Sequence, residues 1–166
     1  MNKTLRAGII SFFAAFILAS MPLPAWLDNF RPDWVMLVVI YWAMATPSKV
    51  GVTVAWCTGL LLDASYGTLI GQHAIGMVLV TYVIHIQHQR LRVASLLQQA
   101  LVIFILLIIK QLLILWVDGM LGRTPDSWLY FLPVLSSTLL WPWTYFILND
   151  LRRWFSVNKT DRYHDK

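Results

Sequence analysis

Apolar residues along this chain fall into six stretches separated by short polar segments. The stretches cover roughly residues 7–27, 33–46, 50–66, 68–86, 94–117 and 128–149. A helix that crosses a bilayer needs about 20 predominantly apolar residues, and the first, fourth, fifth and sixth stretches approach or exceed that length. The second has about 14 residues, or about 21 Å of helix, so it crosses only where the bilayer thins or neighbouring helices shield its ends. The pattern predicts six transmembrane helices.

Segments that contain proline mark the starts of two of these stretches. Arg31–Asp33 precedes the second stretch and places the carboxylate of Asp33 at the positive N-terminus of a helix. Thr124–Asp126 opens the sixth stretch in the same way. Inside the sixth stretch, Pro133 and Pro142 predict kinks.

The composition indicates an integral membrane protein. Hydrophobic residues make up 58% of the 166 positions and charged residues 13%, whereas a soluble domain has about 25% charged residues. All eight acids are aspartates, and most of them lie where apolar stretches end. The single cysteine allows neither an internal disulfide nor a cysteine-based metal site.

Lysine and arginine are distributed unevenly between the two sets of loops. Ten of the 13 lie on the side that holds both termini, whereas the opposite side holds Arg31 and Arg123, and Lys110 lies inside the fifth stretch. Because cytoplasmic loops are enriched in basic residues, both termini are predicted to be cytoplasmic. The net charge of +5 therefore signals orientation rather than nucleic-acid binding. A re-entrant hairpin of the second and third stretches would bury Lys49, so six full spans are preferred.

Each end of the chain allows two interpretations. Lys3 and Arg6 precede an apolar run that ends near Ala19 in the manner of a signal peptide, but the run continues to Trp26 and exceeds the usual h-region of about 7–15 residues. A retained helix is therefore preferred. The tail from Asp150 is either a short interfacial segment or a solvated basic tail that fixes the topology.

One carboxylate and three glycines lie close together around the end of the third stretch, namely Gly59, Asp63, Gly67 and Gly71. An acid inside an apolar span is expensive and needs a partner, a water pocket or a function. Helical rise puts Asp63 about 20 Å from the cytoplasmic end, in the outer third of the bilayer. Three roles stay open for it: to accept hydrogen bonds from the following turn and the start of the fourth span, to pair with a buried cation, or to bind a ligand or a proton.

Lys110 is the candidate cation, because it lies about 24 Å from the cytoplasmic end of its span, close to the depth of Asp63. We expect the two to pair, directly or through water; the alternative is that Lys110 extends its stem toward the outer face. Gly67 and Gly71 have the spacing of a close helix contact. A turn at Gly67 with relief of crowding at Gly71 is preferred over a dimer interface.

The sequence predicts no catalytic, metal or cofactor site. His85 and His88 share a helix face, but no acid or cysteine accompanies them at ligand spacing. They lie beside Arg90 and Arg92, where contact with lipid headgroups is expected. His73 is expected to be packed or hydrogen-bonded in the fourth span. No carboxylate pair shares a helix face within a span, and no phosphate-binding loop is present.

Three ordered segments of the chain resemble the MreD family of rod shape-determining proteins. They are Arg31-Pro-Asp-Trp34 followed by Tyr41-Trp42, then Gly59-Leu-Leu-Leu-Asp63 with Gly67 and Gly71, and then Leu140-Trp-Pro-Trp143 before a basic tail. The last segment points to the proteobacterial branch. The resemblance covers nearly the whole chain.

This resemblance implies a non-enzymatic inner-membrane subunit of the cell-elongation complex that builds peptidoglycan. Members of the family associate with the bitopic protein MreC and, through it, with MreB filaments, the RodA glycosyltransferase and a penicillin-binding transpeptidase. The family's helical core also resembles the substrate-binding subunits of energy-coupling-factor transporters. A small-molecule-binding uptake subunit is therefore the alternative function, although few residues inside the spans can fix a polar ligand.

We therefore expect an all-α polytopic membrane bundle, with one transmembrane domain at 1–149 and a basic cytoplasmic tail at 150–166. It is expected to act as a membrane scaffold that presents helix faces to partner helices, without cofactors. The residues expected to shape the bundle or to contact partners are Arg31, Asp33, Trp34, Gly59, Asp63, Gly67, Gly71 and Lys110.

Overall fold

The computed structural model describes residues 3–22, 24, 30–123 and 128–157, and within these ranges the chain is helical and contains no strand. In this part of the chain the helices are α1 at Lys3–Ser20, α2 at Trp34–Ala45, α3 at Val52–Tyr66, α4 at Gln72–Val93, α5 at Leu96–Met120, a short 3₁₀ helix at Trp128–Phe131 and α6 at Leu132–Val157. The prediction of an all-α bundle is confirmed, with one α-helix for each apolar stretch of the sequence.

The second helix lies at the centre of the bundle. Every residue from Val35 to Met44 is buried, and α2 packs against α1, α4 and α6. A helix that is apolar all round is expected in an interior rather than at a surface. Its 12 residues make about 18 Å of helix, well short of a hydrocarbon core of about 30 Å. Its neighbours therefore enclose the helix that the sequence marks as too short.

Large apolar side chains cover the outside of the bundle. Phe13 is 70% exposed, Ile70 78% and Leu139 76%. Soluble monomers rarely expose large apolar patches, so this surface suits a lipid environment. Two helical segments, Leu96–Met120 and Trp128–Phe155, are long and apolar enough to cross a membrane, judged by length and composition.

Two buried tryptophans tie the helices together through their indole N–H groups. Trp42 of α2 donates to the hydroxyl of Ser11 in α1 over 2.7 Å. Trp141 of α6 donates to the side-chain oxygen of Gln99 in α5 over 3.2 Å, and the Gln99 amide donates in turn to the carbonyl of Leu91 at the end of α4 over 2.9 Å. Such buried N–H groups need partners, and these two fix the rotation of neighbouring helices.

Several predicted helix ends differ from the observed ones. The first helix ends at Ser20 rather than near residue 27, although residues 23 and 25–29, and Trp26 with them, lie outside the described part of the chain. The fourth helix starts at Gln72 rather than 68, because the four preceding residues form a turn. It continues to Val93 rather than ending at 86, because its last turns are polar and the hydropathy pattern did not include them.

The sixth helix also runs beyond its predicted end. It continues to Val157 rather than stopping at 149, so the first part of the predicted tail is helical. Pro142 lies inside it, as expected, whereas Pro133 lies in its first turn, where a proline leaves few helical hydrogen bonds unmade. The segment Thr124–Asp126 and residues 158–166 lie outside the described part of the chain.

Candidate functional site

Polar side chains from five helices and two connecting segments converge at one end of the bundle. They surround a cavity of about 410 Å³ where α1, α3 and α5 end and where α2, α4 and the 3₁₀ helix begin. The polar and aromatic residues that line it include Arg31, Asp33, Trp34, Tyr66, Thr68, Gln72, His73, Lys110, Gln111, Asp118 and Tyr130. We call this set the polar network.

An ion pair between Asp33 and Lys110 lies at the centre of the polar network. The ammonium of Lys110 contacts one carboxylate oxygen of Asp33. The other oxygen accepts the backbone N–H of Met36 over 3.1 Å, which makes Asp33 the N-cap of α2. The backbone N–H of Asp33 donates to the hydroxyl of Ser137 over 2.8 Å. One residue thereby connects α2, α5 and α6, and the predicted position of Asp33 at a helix N-terminus is confirmed.

The expected direct pairing of Asp63 with Lys110 is wrong. The oxygens of Asp63 accept the backbone N–H of Gly71 over 2.8 Å, the backbone N–H of His73 over 2.9 Å and the hydroxyl of Thr68 over 2.9 Å. Asp63 is fully buried, and these donors satisfy it without a cation. The role as an acceptor for the turn and the start of the next helix, one of the three left open by the sequence, is the one the structure shows.

His73 is a hydrogen-bonded histidine, as expected. Its Nδ1 lies 2.9 Å from a carboxylate oxygen of Asp63, and its side chain is 16% exposed. Its ring also packs beside that of Tyr66, with centroids 5.6 Å apart. The imidazole therefore covers the carboxylate on its cavity side.

The glycines around Asp63 serve two different purposes. Gly67 and Gly71 have φ angles of +65° and +103°, which other residues rarely adopt. The turn predicted at Gly67 is confirmed, but relief of crowding at Gly71 is wrong, because a Cβ there would meet nothing within 4 Å. Close packing occurs instead at Gly59, where a Cβ would lie 2.3 Å from the Cα of Ala74. The absence of a side chain at Gly59 lets α3 and α4 touch.

Arg31 joins the end of α1 to the start of α2. Its guanidinium donates to the carbonyl of Ala19 over 2.5 Å and to that of Met21 over 2.8 Å. A cation is favourable at the negative C-terminal end of a helix. Trp34, half-buried against the core, lines the same cavity. All three residues predicted at the start of the second span therefore lie in the polar network.

Sequence reasoning missed the part of the polar network that Asp118 organises. The side-chain amide of Gln72 donates to Asp118 over 2.8 Å, and the hydroxyl of Tyr130 lies 3.4 Å from its other oxygen. Lys110 and Asp118 are eight residues apart on one face of α5, and that spacing was the available signal. These polar groups at the helix ends line the cavity, and several of them are already bound to one another.

Comparison with known proteins identifies the family. The sequence model described as rod shape-determining protein MreD matches residues 2–151. The chain belongs to the MreD family. A curated relative, Rod shape-determining protein MreD of Haemophilus influenzae (strain ATCC 51907 / DSM 11121 / KW20 / Rd), is 34% identical over 146 residues, which cover 87% of this chain and 90% of the relative. No solved structure matches the chain.

Membership of the MreD family gives this bundle a role in rod shape determination. MreD proteins are membrane-associated and structural, and they are not a known enzyme family. The match contains every residue of the polar network and ends at Leu151. The network is thus part of the MreD domain itself.

The histidines at the far end of α4 form a separate feature of this MreD-family chain. Nδ1 of His88 lies 2.6 Å from the carbonyl oxygen of His85, and the centroids of the two rings are 5.8 Å apart. Among the described residues, no three His, Cys or Asp side chains are placed to hold a metal ion. Contact of these two histidines with lipid headgroups stays a prediction.

Proposed function

We propose that this chain is a non-enzymatic, multi-pass scaffold of the cell-elongation complex in the bacterial inner membrane, and that it maintains rod shape by binding partner membrane proteins. Membership of the MreD family over nearly the whole chain carries the proposal. The proposed partners follow from the family resemblance. They are an MreC-like bitopic protein and, through it, MreB filaments, the RodA glycosyltransferase and a penicillin-binding transpeptidase.

The distribution of charge supports six passes with both termini in the cytoplasm. Arg92 contacts the last carbonyls of α2, and Arg152 lines a cavity beside it. Lys49 follows α2 in the loop at the same end, whereas Arg31 lies at the other end with the polar network. Because basic residues mark the cytoplasmic side, the polar network is proposed to face the periplasm. In this arrangement α2 crosses within a sheath of protein.

The internal pairing of the polar network favours a scaffold over an uptake subunit. Lys110 is bound to Asp33, and Gln72 is bound to Asp118. A polar ligand in this cavity would have to displace these contacts and leave buried groups to find new partners. The matched family is also a shape-determining one, so the uptake alternative gains no support from it.

A groove between α1 and α3 is the proposed partner surface. It has a volume of about 770 Å³ and an apolar lining. Phe13 is 70% exposed, Ile17 66% and Leu61 59%. Membrane helices associate through close packing, and a gap between two helices gives an added helix two surfaces to pack on. We assign the groove to the single transmembrane helix of the MreC-like partner, with lipid chains as the competing occupant.

Photocrosslinking in intact cells tests this assignment. A photoreactive residue replaces Phe13, Ile17 or Leu61 in the groove, and Leu139 on α6, 76% exposed and outside the groove, is the matched control. The expected result is an adduct with a bitopic elongation protein from the groove positions and none from the control. Adducts with lipid alone, or equal protein adducts from all four positions, would reject the groove. Adducts only with an ATPase coupling subunit would favour the uptake function.

A further inference from the structure

A second cavity lies at the opposite end of the bundle from the polar network. It has a volume of about 300 Å³ and lies between the C-terminal ends of α2 and α4 and the second half of α6. Its polar lining consists of Tyr41, Arg92, Tyr145, Asn149 and Arg152. The described residues that line it include no carboxylate. The cavity is therefore both polar and positively charged.

The hydroxyl of Tyr41 is buried beside this cavity without a hydrogen-bond partner. Tyr41 is 2% exposed, and no atom of the described residues donates to or accepts from its hydroxyl. A buried polar group without a partner costs about 1–3 kcal/mol, and native structures rarely tolerate it. A group that enters the cavity and accepts this O–H would remove that cost.

Two guanidiniums are held at the same cavity by contacts that use only some of their donors. Nε of Arg92 donates to the carbonyl of Met44 over 2.7 Å, and one terminal nitrogen donates to that of Ala45. Arg152 donates to the side-chain oxygen of Asn149 over 3.3 Å. A guanidinium has five N–H donors, so each retains donors for a further acceptor. Planar donor pairs of this kind match phosphate oxygens well.

We propose that this cavity binds a phosphate group, with Arg92 and Arg152 donating to its oxygens and the Tyr41 hydroxyl donating to one of them. The volume admits a phosphate with a small polar substituent but not the acyl chains of a lipid, which would lie along the apolar outside of the bundle. The shared chemistry leaves two sources for the group. One is the headgroup of an anionic phospholipid, and the other is a soluble phosphate.

Thermal unfolding of the full-length protein in a neutral detergent distinguishes the two sources. One arm adds inorganic phosphate against chloride at equal ionic strength. The other adds dioleoyl phosphatidylglycerol against dioleoylglycerol, which has the same chains and no phosphate. A saturable rise in the unfolding temperature with phosphatidylglycerol alone identifies a lipid headgroup, and a rise with phosphate as well identifies a site open to soluble phosphate. No rise in either arm overturns the proposal and leaves water in the cavity.

Matched arginines make the test specific to the cavity. Arg92→Gln or Arg152→Gln is expected to weaken binding about 10- to 100-fold, the equivalent of one charge-assisted hydrogen bond. Arg90→Gln and Arg153→Gln remove the same charge from exposed neighbours that do not line the cavity, and they should change binding by less than about twofold. Equal losses in all four variants would indicate general attraction of anions and overturn the site.

Tyr41→Phe provides a readout that does not depend on charge. Removing an unpartnered buried hydroxyl should leave the unliganded protein as stable as the native one, or more so, because the desolvated group is gone. The same variant should bind the ligand more weakly than the native chain. If Arg92→Gln fails to fold because α2 loses its C-terminal contact, Arg152→Gln and Tyr41→Phe still decide the question. Unchanged affinity in both would refute the proposal.

Discussion

The two partners of the Asp33–Lys110 ion pair are buried to different extents, so removing one or the other should destabilise the protein by different amounts. Lys110 is 5% exposed and Asp33 is 21% exposed, and Asp33 also caps α2. Asp33→Asn keeps a side chain that caps helices well but leaves a buried ammonium without its counter-ion. Removing one partner of a buried pair costs about 3–5 kcal/mol. For a chain of this length, about 2–4 °C per kcal/mol corresponds to a fall in the unfolding temperature of roughly 6–20 °C.

The opposite change is expected to be milder. Lys110→Met keeps an unbranched stem against Gly76, where a Cβ would lie 2.8 Å from the Cγ of Lys110. The carboxylate of Asp33 then keeps the N–H of Met36 and the positive end of α2, so the expected cost is about 1–2 kcal/mol. The double variant Asp33→Asn/Lys110→Met contains no stranded charge and should be more stable than Asp33→Asn alone.

Thermal unfolding in one detergent, with the two single variants and the double variant compared, measures this cycle. Restoration of rod shape in cells that lack the native protein gives an independent readout. The variants that lose the most stability should restore rod shape least. Two results would refute the conclusion that the buried ammonium is the group that needs its partner. One is that Asp33→Asn unfolds at the same temperature as Lys110→Met or higher. The other is that the double variant is no more stable than Asp33→Asn.

Two further predictions concern contacts between helices. Gly59→Ala would place a methyl group against the backbone of Ala74, which cannot move aside like a side chain, so a loss of about 1–3 kcal/mol is expected. The control Gly8→Ala, where the nearest atom is 3.9 Å away, should be neutral or slightly stabilising, because alanine favours a helix interior more than glycine does; equal unfolding temperatures for the two variants would contradict the close contact. Gln99→Leu should cost about 1–3 kcal/mol because the buried indole N–H of Trp141 loses its acceptor. Adding Trp141→Phe should recover part of that loss in the same assay, and stability losses of the two single variants that simply add in the double variant would argue against the hydrogen bond.

Hydropathy alone was enough to predict the helix content of the bundle. Each apolar stretch became a helix, because in lipid or in a protein interior the backbone must satisfy its own hydrogen bonds. The short second stretch was also informative: too short to stand alone in a bilayer, it became the enclosed central helix α2. The continuation of α6 to Val157 was not predicted because the apolar stretch ends at residue 149, whereas the backbone hydrogen bonding of the helix continues.

The depth of a residue along its helix could not predict which side chains pair within the polar network. Asp63 and Lys110 were placed at similar heights, but height does not say which way a side chain points around its helix axis. The turn at Gly67 and Gly71 brings the start of α4 back onto Asp63, so that backbone N–H groups rather than a lysine satisfy its carboxylate. Lys110 pairs with Asp33 instead. The sequence placed Asp33 correctly at a helix start but did not connect it to α5.

A common electrostatic requirement explains why two carboxylates, one buried and one partly exposed, lie at this end of the bundle. Helices α2 and α4 both begin there, so their unpaired N–H groups and positive dipole ends point the same way. Asp33 accepts from the first turn of α2, and Asp63 accepts from the first turn of α4. Lys110, entering from the antiparallel α5, balances one of the two negative charges. The carboxylates thus complete helix ends that would otherwise be buried unsatisfied, which is why assembly, rather than chemistry, is the role that the arrangement favours.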